Sequence, residues 1–188
     1  MRVDDVSYAE YLAFERDSEA KHEYVNGQIY AMSGGTPEHG RLAWNLMGLL
    51  HEALRGRPCT AFTSDVRVRI PATGRATYPD VSVVCGKLER DTEDADAITN
   101  PIVLVEVLSP STESSDRGDK FLHYRRLPSL REYVLVAQDA PRIEVFSRGQ
   151  DERGETWVMT EAGPGQVARL PSLGVELAVD DVYRDPLA

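Results

Sequence analysis

The 188-residue sequence has only two cysteines, Cys59 and Cys85, both in apolar, strand-like surroundings. Two are too few for a disulfide framework. They could pair, but reduced, buried thiols are the expectation. Long apolar runs are also missing. Stretches such as Ile102-Val103-Leu104-Val105 fall far short of the ~20 residues that a membrane-spanning helix needs. The chain opens Met1-Arg2-Val3-Asp4-Asp5, without the basic-then-apolar pattern of a secretory leader. A cytoplasmic location with no membrane contact is therefore expected. Basic residues are in deficit, 21 Lys and Arg against 31 Asp and Glu, for a formal charge of −10. That balance argues against wrapping a long duplex through phosphate contacts, because such footprints are usually basic. It still leaves room for an enzyme that touches phosphate locally through a metal ion.

Several catalytic signatures are absent too. No Cys-x-x-Cys occurs, and His22, His39, His51 and His123 form no His-x-x-x-His pair with a following ligand, which argues against structural zinc. Gly34-Gly35 is not followed by the Gly-Lys-Ser/Thr of a phosphate-binding loop. Ser109 and Ser111 lack a Gly-x-Ser-x-Gly context for nucleophilic serine chemistry. No repeat, low-complexity tract or linker divides the chain, so residues 1–188 read as one domain.

What is present reads as short strands with two substantial helices and one short one. Ser7 and Glu10 form a capping box that opens a helix over 8–16. Asn26-Gly27 lies between Glu23-Tyr24-Val25 and Gln28-Ile29-Tyr30, a strong hairpin signal. Thr36 caps a helix with Pro37 at its first position, running to about residue 55, with Leu42, Leu46, Leu49, Ala53 and Leu54 at helical spacing. Strands are expected over 59–63, 65–70, 78–84 and 101–108, with 71–77 as a turn. In the 65–70 strand Val66, Val68 and Ile70 face one way and Arg67 and Arg69 the other. Those arginines, with Arg125-Arg126, could touch a nucleic-acid backbone, although exposed arginines are commonplace. The acidic run over 89–96 reads as a solvated loop. A helix over 115–127 and strands over 132–137, 142–148 and 156–160 complete a mixed α/β or α+β fold.

Two carboxylates stand out because of where they sit. Glu106 interrupts Ile102-Val103-Leu104-Val105-Glu106-Val107-Leu108, where a charge is costly unless it is paired or bound to metal. Asp80 follows Pro79 at the head of another apolar run, Val81-Ser82-Val83-Val84. Two carboxylates on neighbouring strands suit a hard cation such as Mg²⁺, with a backbone carbonyl, for instance that of Val107, as a further ligand. Asp116, Lys120 and Tyr124 are four apart and share a helix face. That face can lie over the acids, or Asp116 and Lys120 can form an ordinary surface pair.

Pro79-Asp80 followed by Glu106-Val107-Leu108 resembles the PD-(D/E)xK nuclease superfamily, with Leu108 where its lysine normally stands. The chain is similar in that departure to the Uma2 (DUF820) family, in which the lysine comes from the next helix, as Lys120 does. Lys21-His22-Glu23-Tyr24-Val25-Asn26-Gly27, His39, Ser109-Pro110-Ser111-Thr112 and Leu173-Gly174-Val175-Glu176-Leu177 also match. The resemblance implies a restriction-endonuclease-like core, a mixed central sheet flanked by helices, preceded by the N-terminal helix and hairpin. It further implies an endonuclease that hydrolyses phosphodiester bonds in DNA. Asp80 and Glu106 would hold Mg²⁺ or Mn²⁺, Lys120 would assist the attacking water or the phosphate, and Glu23 would position water or a second metal, or simply pair with Lys21. Tyr124 and His39 would meet substrate, though a core tyrosine and a capping histidine are the plainer accounts. A homodimer follows by the same analogy, two sites facing two strands. The competing expectation is a non-catalytic module of the same fold that binds a protein or nucleic-acid partner, which the low pI of about 4.9 favours.

Overall fold

The computed structural model describes residues 5–152 and 154–187. Helix α1, Tyr8–Asp17, opens with the Ser7/Glu10 capping box, and helix α2, Pro37–Ala53, opens on the Thr36 hydroxyl, which accepts from the His39 amide. Between them β1, His22–Val25, and β2, Gln28–Ala31, form an antiparallel hairpin. Its turn residues Asn26 (φ 48°) and Gly27 (φ 80°) both adopt the left-handed region that a two-residue hairpin loop requires.

Strands β3, Cys59–Thr63, β6, Val81–Cys85, β8, Val103–Val107, and β9, Glu132–Val136, lie in a six-stranded mixed sheet of order β11-β10-β9-β8-β6-β3. The remaining members are β10, Ile143–Asp151, and β11, Gly154–Ala162. The β8–β9 pair is parallel and the other pairs are antiparallel. A second sheet, β2-β1-β5-β4-β7, joins the hairpin to β4, Arg67–Ile70, β5, Arg75–Thr77, and β7, Ala97–Ile98. A third helix, α3, combines Glu113–Ser115, a π-helical turn Asp116–Lys120 and Phe121–Tyr124. Hairpin β12–β13, Val167–Leu170 with Val175–Ala178, and helix α4, Val179–Val182, close the fold.

Alternation along β8 explains the layering. Val103, Val105 and Val107 pack with Leu42, Leu46 and Leu50 of α2, while Leu104 and Leu108 pack with Tyr124, Leu127 and Leu130 on the α3 side. Each fully buried leucine contributes about 1.5–3 kcal/mol, so α2 and α3 are fastened to opposite faces. Glu106 shares a face with Leu104 and Leu108, which aims it at α3.

Four expectations are corrected. Cys59 and Cys85 are joined in a disulfide, because the β3–β6 register sets them directly opposite each other, as strand spacing alone could not reveal. Arg67 and Arg69 are 9% and 8% exposed and do not form a surface track. Arg67 pairs with Asp94 at 2.7 Å, and Arg69 stacks over the Tyr8 ring at 3.6 Å. Asp94, from the acidic run, is likewise buried rather than solvated. Finally, the expected turn over 71–77 contains β5, held between β1 and β4.

Candidate active site

The β6–β8 register pairs Val81 with Val105, which places Asp80, one residue earlier, beside Glu106, one residue later. The Val107 amide donates to Asp80 Oδ2 at 2.7 Å, and His39 Nε2 lies 3.3 Å from the same oxygen. His39 reaches it from the first turn of α2 because Gly35 lies under its ring. A Cβ at Gly35 would stand 3.0 Å from His39 Nδ1. The hydrogen bond to Asp80 raises the His39 pKa, against the opposing effect of burial.

Glu106 is 4% exposed. Its Oε1 accepts from the Tyr124 hydroxyl at 2.7 Å and from Lys120 Nζ at 3.1 Å. Burial pushes its pKa up to about 8, against the pull of the Lys120 charge. Lys120 is 7% exposed, and its ammonium also lies 2.9 Å from Asp116 Oδ1 and 3.5 Å from Glu23 Oε1. Burial disfavours that ammonium, but the three carboxylates outweigh it and hold its pKa well above the usual value. Glu23 does not pair with Lys21, which meets Asp65 at 2.6 Å. It accepts from Arg75 Nη2 at 3.0 Å and from the Thr77 hydroxyl. Burial opposes the Glu23 charge, but Lys120 and Arg75 prevail and lower its pKa. Tyr124 stays a neutral donor, because burial and then the Glu106 charge raise its pKa well above the usual range.

All six residues singled out from the sequence, Glu23, His39, Asp80, Glu106, Lys120 and Tyr124, thus belong to one connected cluster. Five of them line a cleft of about 660 Å³, with Tyr124 buried behind Glu106. Sequence reasoning missed Arg75 and Thr77, which lie in the stretch read as a turn, and gave Asp116 only a shared helix face or a surface pair with Lys120; the pair exists but is buried. At 1% exposure Asp116 makes the shortest contact to Lys120.

The donor set fits a divalent cation supported by water. Among the described residues no three His, Cys, Asp or Glu side chains converge as a ready-made cage. Mg²⁺, however, is usually held by one or two carboxylates plus waters and substrate phosphate. Asp80 Oδ1 and Glu106 Oε2 have no hydrogen-bond donor among the described residues. Five carboxylates, Glu23, Asp80, Glu106, Asp116 and Asp119, face Arg75, Lys120 and His39. Acids thus outnumber bases around the cleft, an imbalance that a divalent cation would offset.

The profile of the Uma2 family, described as "Putative restriction endonuclease", matches residues 8–180. The chain belongs to the Uma2 family. Two proteins of Synechocystis sp. are similar over most of their length. The chain is 40% identical to slr1290 over 179 residues, covering 95% of this chain and 92% of that one. It is 35% identical to sll1609 over 153 residues, covering 81% and 85%. A crystal structure from Anabaena variabilis, titled a putative nuclease of DUF820, superimposes with a TM-score of 0.75 at 19% identity, over 93% of this chain and 95% of that one. That likeness shows that this Uma2 chain has the same overall fold, with mixed sheets flanked by helices.

Proposed function

We propose that the protein is a Mg²⁺- or Mn²⁺-dependent endonuclease that hydrolyses phosphodiester bonds in DNA. One observation carries the reading: Asp80 and Glu106, on adjacent strands, meet Lys120 at the floor of a cleft, with Lys120 Nζ 3.1 Å from Glu106. Asp80 and Glu106 would hold the ion through the oxygens that no protein donor occupies. The bound ion would supply charge neutralisation at the phosphate and make water more acidic. The Val107 amide and His39 fix the Asp80 carboxylate, and Tyr124 fixes Glu106. Lys120 donates to the attacking water or to the charge that develops on phosphate. Glu23 is already engaged by Arg75, Thr77 and Lys120, which favours an anchoring role over a second metal.

The alternative, a binding module that keeps the fold without cutting, draws on the net charge of −10. A scaffold alone would gain nothing from buried carboxylates in excess of their counter-ions. Calorimetry should show Mn²⁺ binding to the wild type and none to Asp80→Ala or Glu106→Ala. Equal binding by all three would remove the metal site. Cleavage of single-stranded, double-stranded and branched DNA with Mn²⁺ tests the reaction, and a Lys120→Ala protein as active as wild type would refute the role given to Lys120.

A further inference from the structure

Among the described residues the cleft carries its positive charge beside the acids already named. Its basic lining residues are His39, Arg75 and Lys120, and each already faces an acid: Asp80 for His39, Glu23 and Asp119 for Arg75, and Glu106, Asp116 and Glu23 for Lys120. Among the described residues the walls add no further lysine or arginine. One side is built from the β1–β2 hairpin and the Gly34-Gly35 turn, and the other from the hydroxyl-rich Ser109–Thr112 loop. A duplex carries about twice the phosphate charge per length of a single strand and so has the greater need of a basic track beside the reacting bond; among the described residues this cleft has none.

It has an aromatic residue instead. Tyr30 lines the cleft and is 43% exposed, a large ring left open to solvent within a strand. The hairpin register sets it directly across from Glu23, whose carboxylate is 3.5 Å from Lys120 Nζ. Directly paired residues project from the same face of a sheet, so the ring stands beside the anchor of the proposed catalytic lysine. Its hydroxyl is tied to the Gln28 side chain, which limits its swing. Aromatic platforms of this kind hold unpaired bases regardless of sequence.

Resting on the nuclease reading above, we propose that the substrate is single-stranded DNA, with a base next to the reacting phosphate stacked on Tyr30. The experiment combines two measurements on the full chain. Fluorescence anisotropy in EDTA measures binding of a labelled single strand and of the same sequence as duplex. A Mn²⁺ cleavage assay uses the same two substrates. Wild type should bind the single strand more tightly than the duplex. Tyr30→Ala should weaken single-strand binding by roughly tenfold or more, and Tyr30→Phe should retain it, since only the ring face is needed. Tyr30→Phe also guards against a folding artefact, as it preserves the ring's packing. Cleavage of duplex with Tyr30→Ala indistinguishable from wild type would overturn the single-strand inference and leave the nuclease reading intact. Tyr30-dependent single-strand binding without any cleavage would overturn the nuclease reading and leave the binding mode. Absence of both binding and cleavage would overturn both.

Discussion

Replacing Lys120 with methionine keeps the reach of the side chain and deletes one buried charge. The lost ammonium lies 2.9 Å from Asp116, 3.1 Å from Glu106 and 3.5 Å from Glu23. Removing one partner of a buried pair costs about 3–5 kcal/mol, because the other charge is left without water or counter-ion. Glu23 keeps Arg75 and Thr77, and Glu106 keeps Tyr124, but Asp116, 1% exposed, has no other ion-pair partner among the described residues, so the whole range applies, about 3–5 kcal/mol in EDTA at pH 8. For a chain of this size that is a fall in Tm of roughly 6–20 °C. The pH dependence has a definite sign. The folded pKa of Glu106, about 8, lies above its ordinary value of 4.5. Its contribution to stability is therefore complete below the lower value and is lost as pH rises through the upper one. Lys120 holds that pKa down, so the variant's pKa climbs further, and a protonated Glu106 no longer needs a counter-ion. The deficit should be largest near pH 8–9 and shrink toward pH 5 in urea unfolding curves. A deficit under about 1 kcal/mol at pH 8, or one that grows on acidification, would refute the reasoning.

Reducing the Cys59–Cys85 disulfide opens a link between residues 26 apart and should cost about 3–4 kcal/mol by loop entropy. Urea melts with and without a phosphine reductant measure it, with the Cys59→Ala, Cys85→Ala protein insensitive to the reductant. Arg67→Met should destabilise by about 3 kcal/mol by stranding buried Asp94. Adding Asp94→Asn should recover part of the loss in a double-mutant cycle, and DNA binding should be unchanged in both. Asp116→Asn should lower kcat of Mn²⁺-dependent cleavage at least tenfold with little change in KM, since Asp116 makes the closest contact to Lys120 and lines no part of the cleft. Steady-state kinetics with Asp116→Glu as the conservative control decide that point.

Local signals translated well into structure, and long-range ones did not. The Ser7/Glu10 box, the Asn26-Gly27 turn and the Thr36-Pro37 start each involve neighbours in sequence, and each appears where the residues place it. The run through β8 was legible because a strand buried on both faces needs an almost wholly apolar sequence. Burial of Arg67 and Arg69 depends on Asp94 and Tyr8, which come from a loop and a helix far along the chain, and no local pattern announces such partners. The disulfide depends on the β3–β6 register for the same reason. Within the site, Asp80 and Glu106 were conspicuous as acids in apolar runs. Asp116 and Lys120 fit a surface i,i+4 pair just as well, and only family resemblance favoured Lys120. Arg75 gave no signal at all, lying in a stretch with turn-like composition.

The burial of Lys120 has a physical explanation in the helix that carries it. On the strand side Leu108 is 3% exposed and packs with Tyr124 and Leu127, so that place is committed to the core. The charge comes from the helix. Regular α-helix advances about 100° per residue, so residues four and eight apart drift by about 40° and 80° from a common line. Asp116, Lys120 and Tyr124 would fan outward along such a helix. The π-helical turn Asp116–Lys120 winds more slowly and cancels much of that drift. All three end buried against the sheet, at 1%, 7% and 0% exposure. The same turn therefore delivers the ammonium, the carboxylate that holds it and the hydroxyl that steadies Glu106. A helix in regular α geometry with the same sequence would spread the three side chains over about 80° of one face and converge them less closely on the sheet.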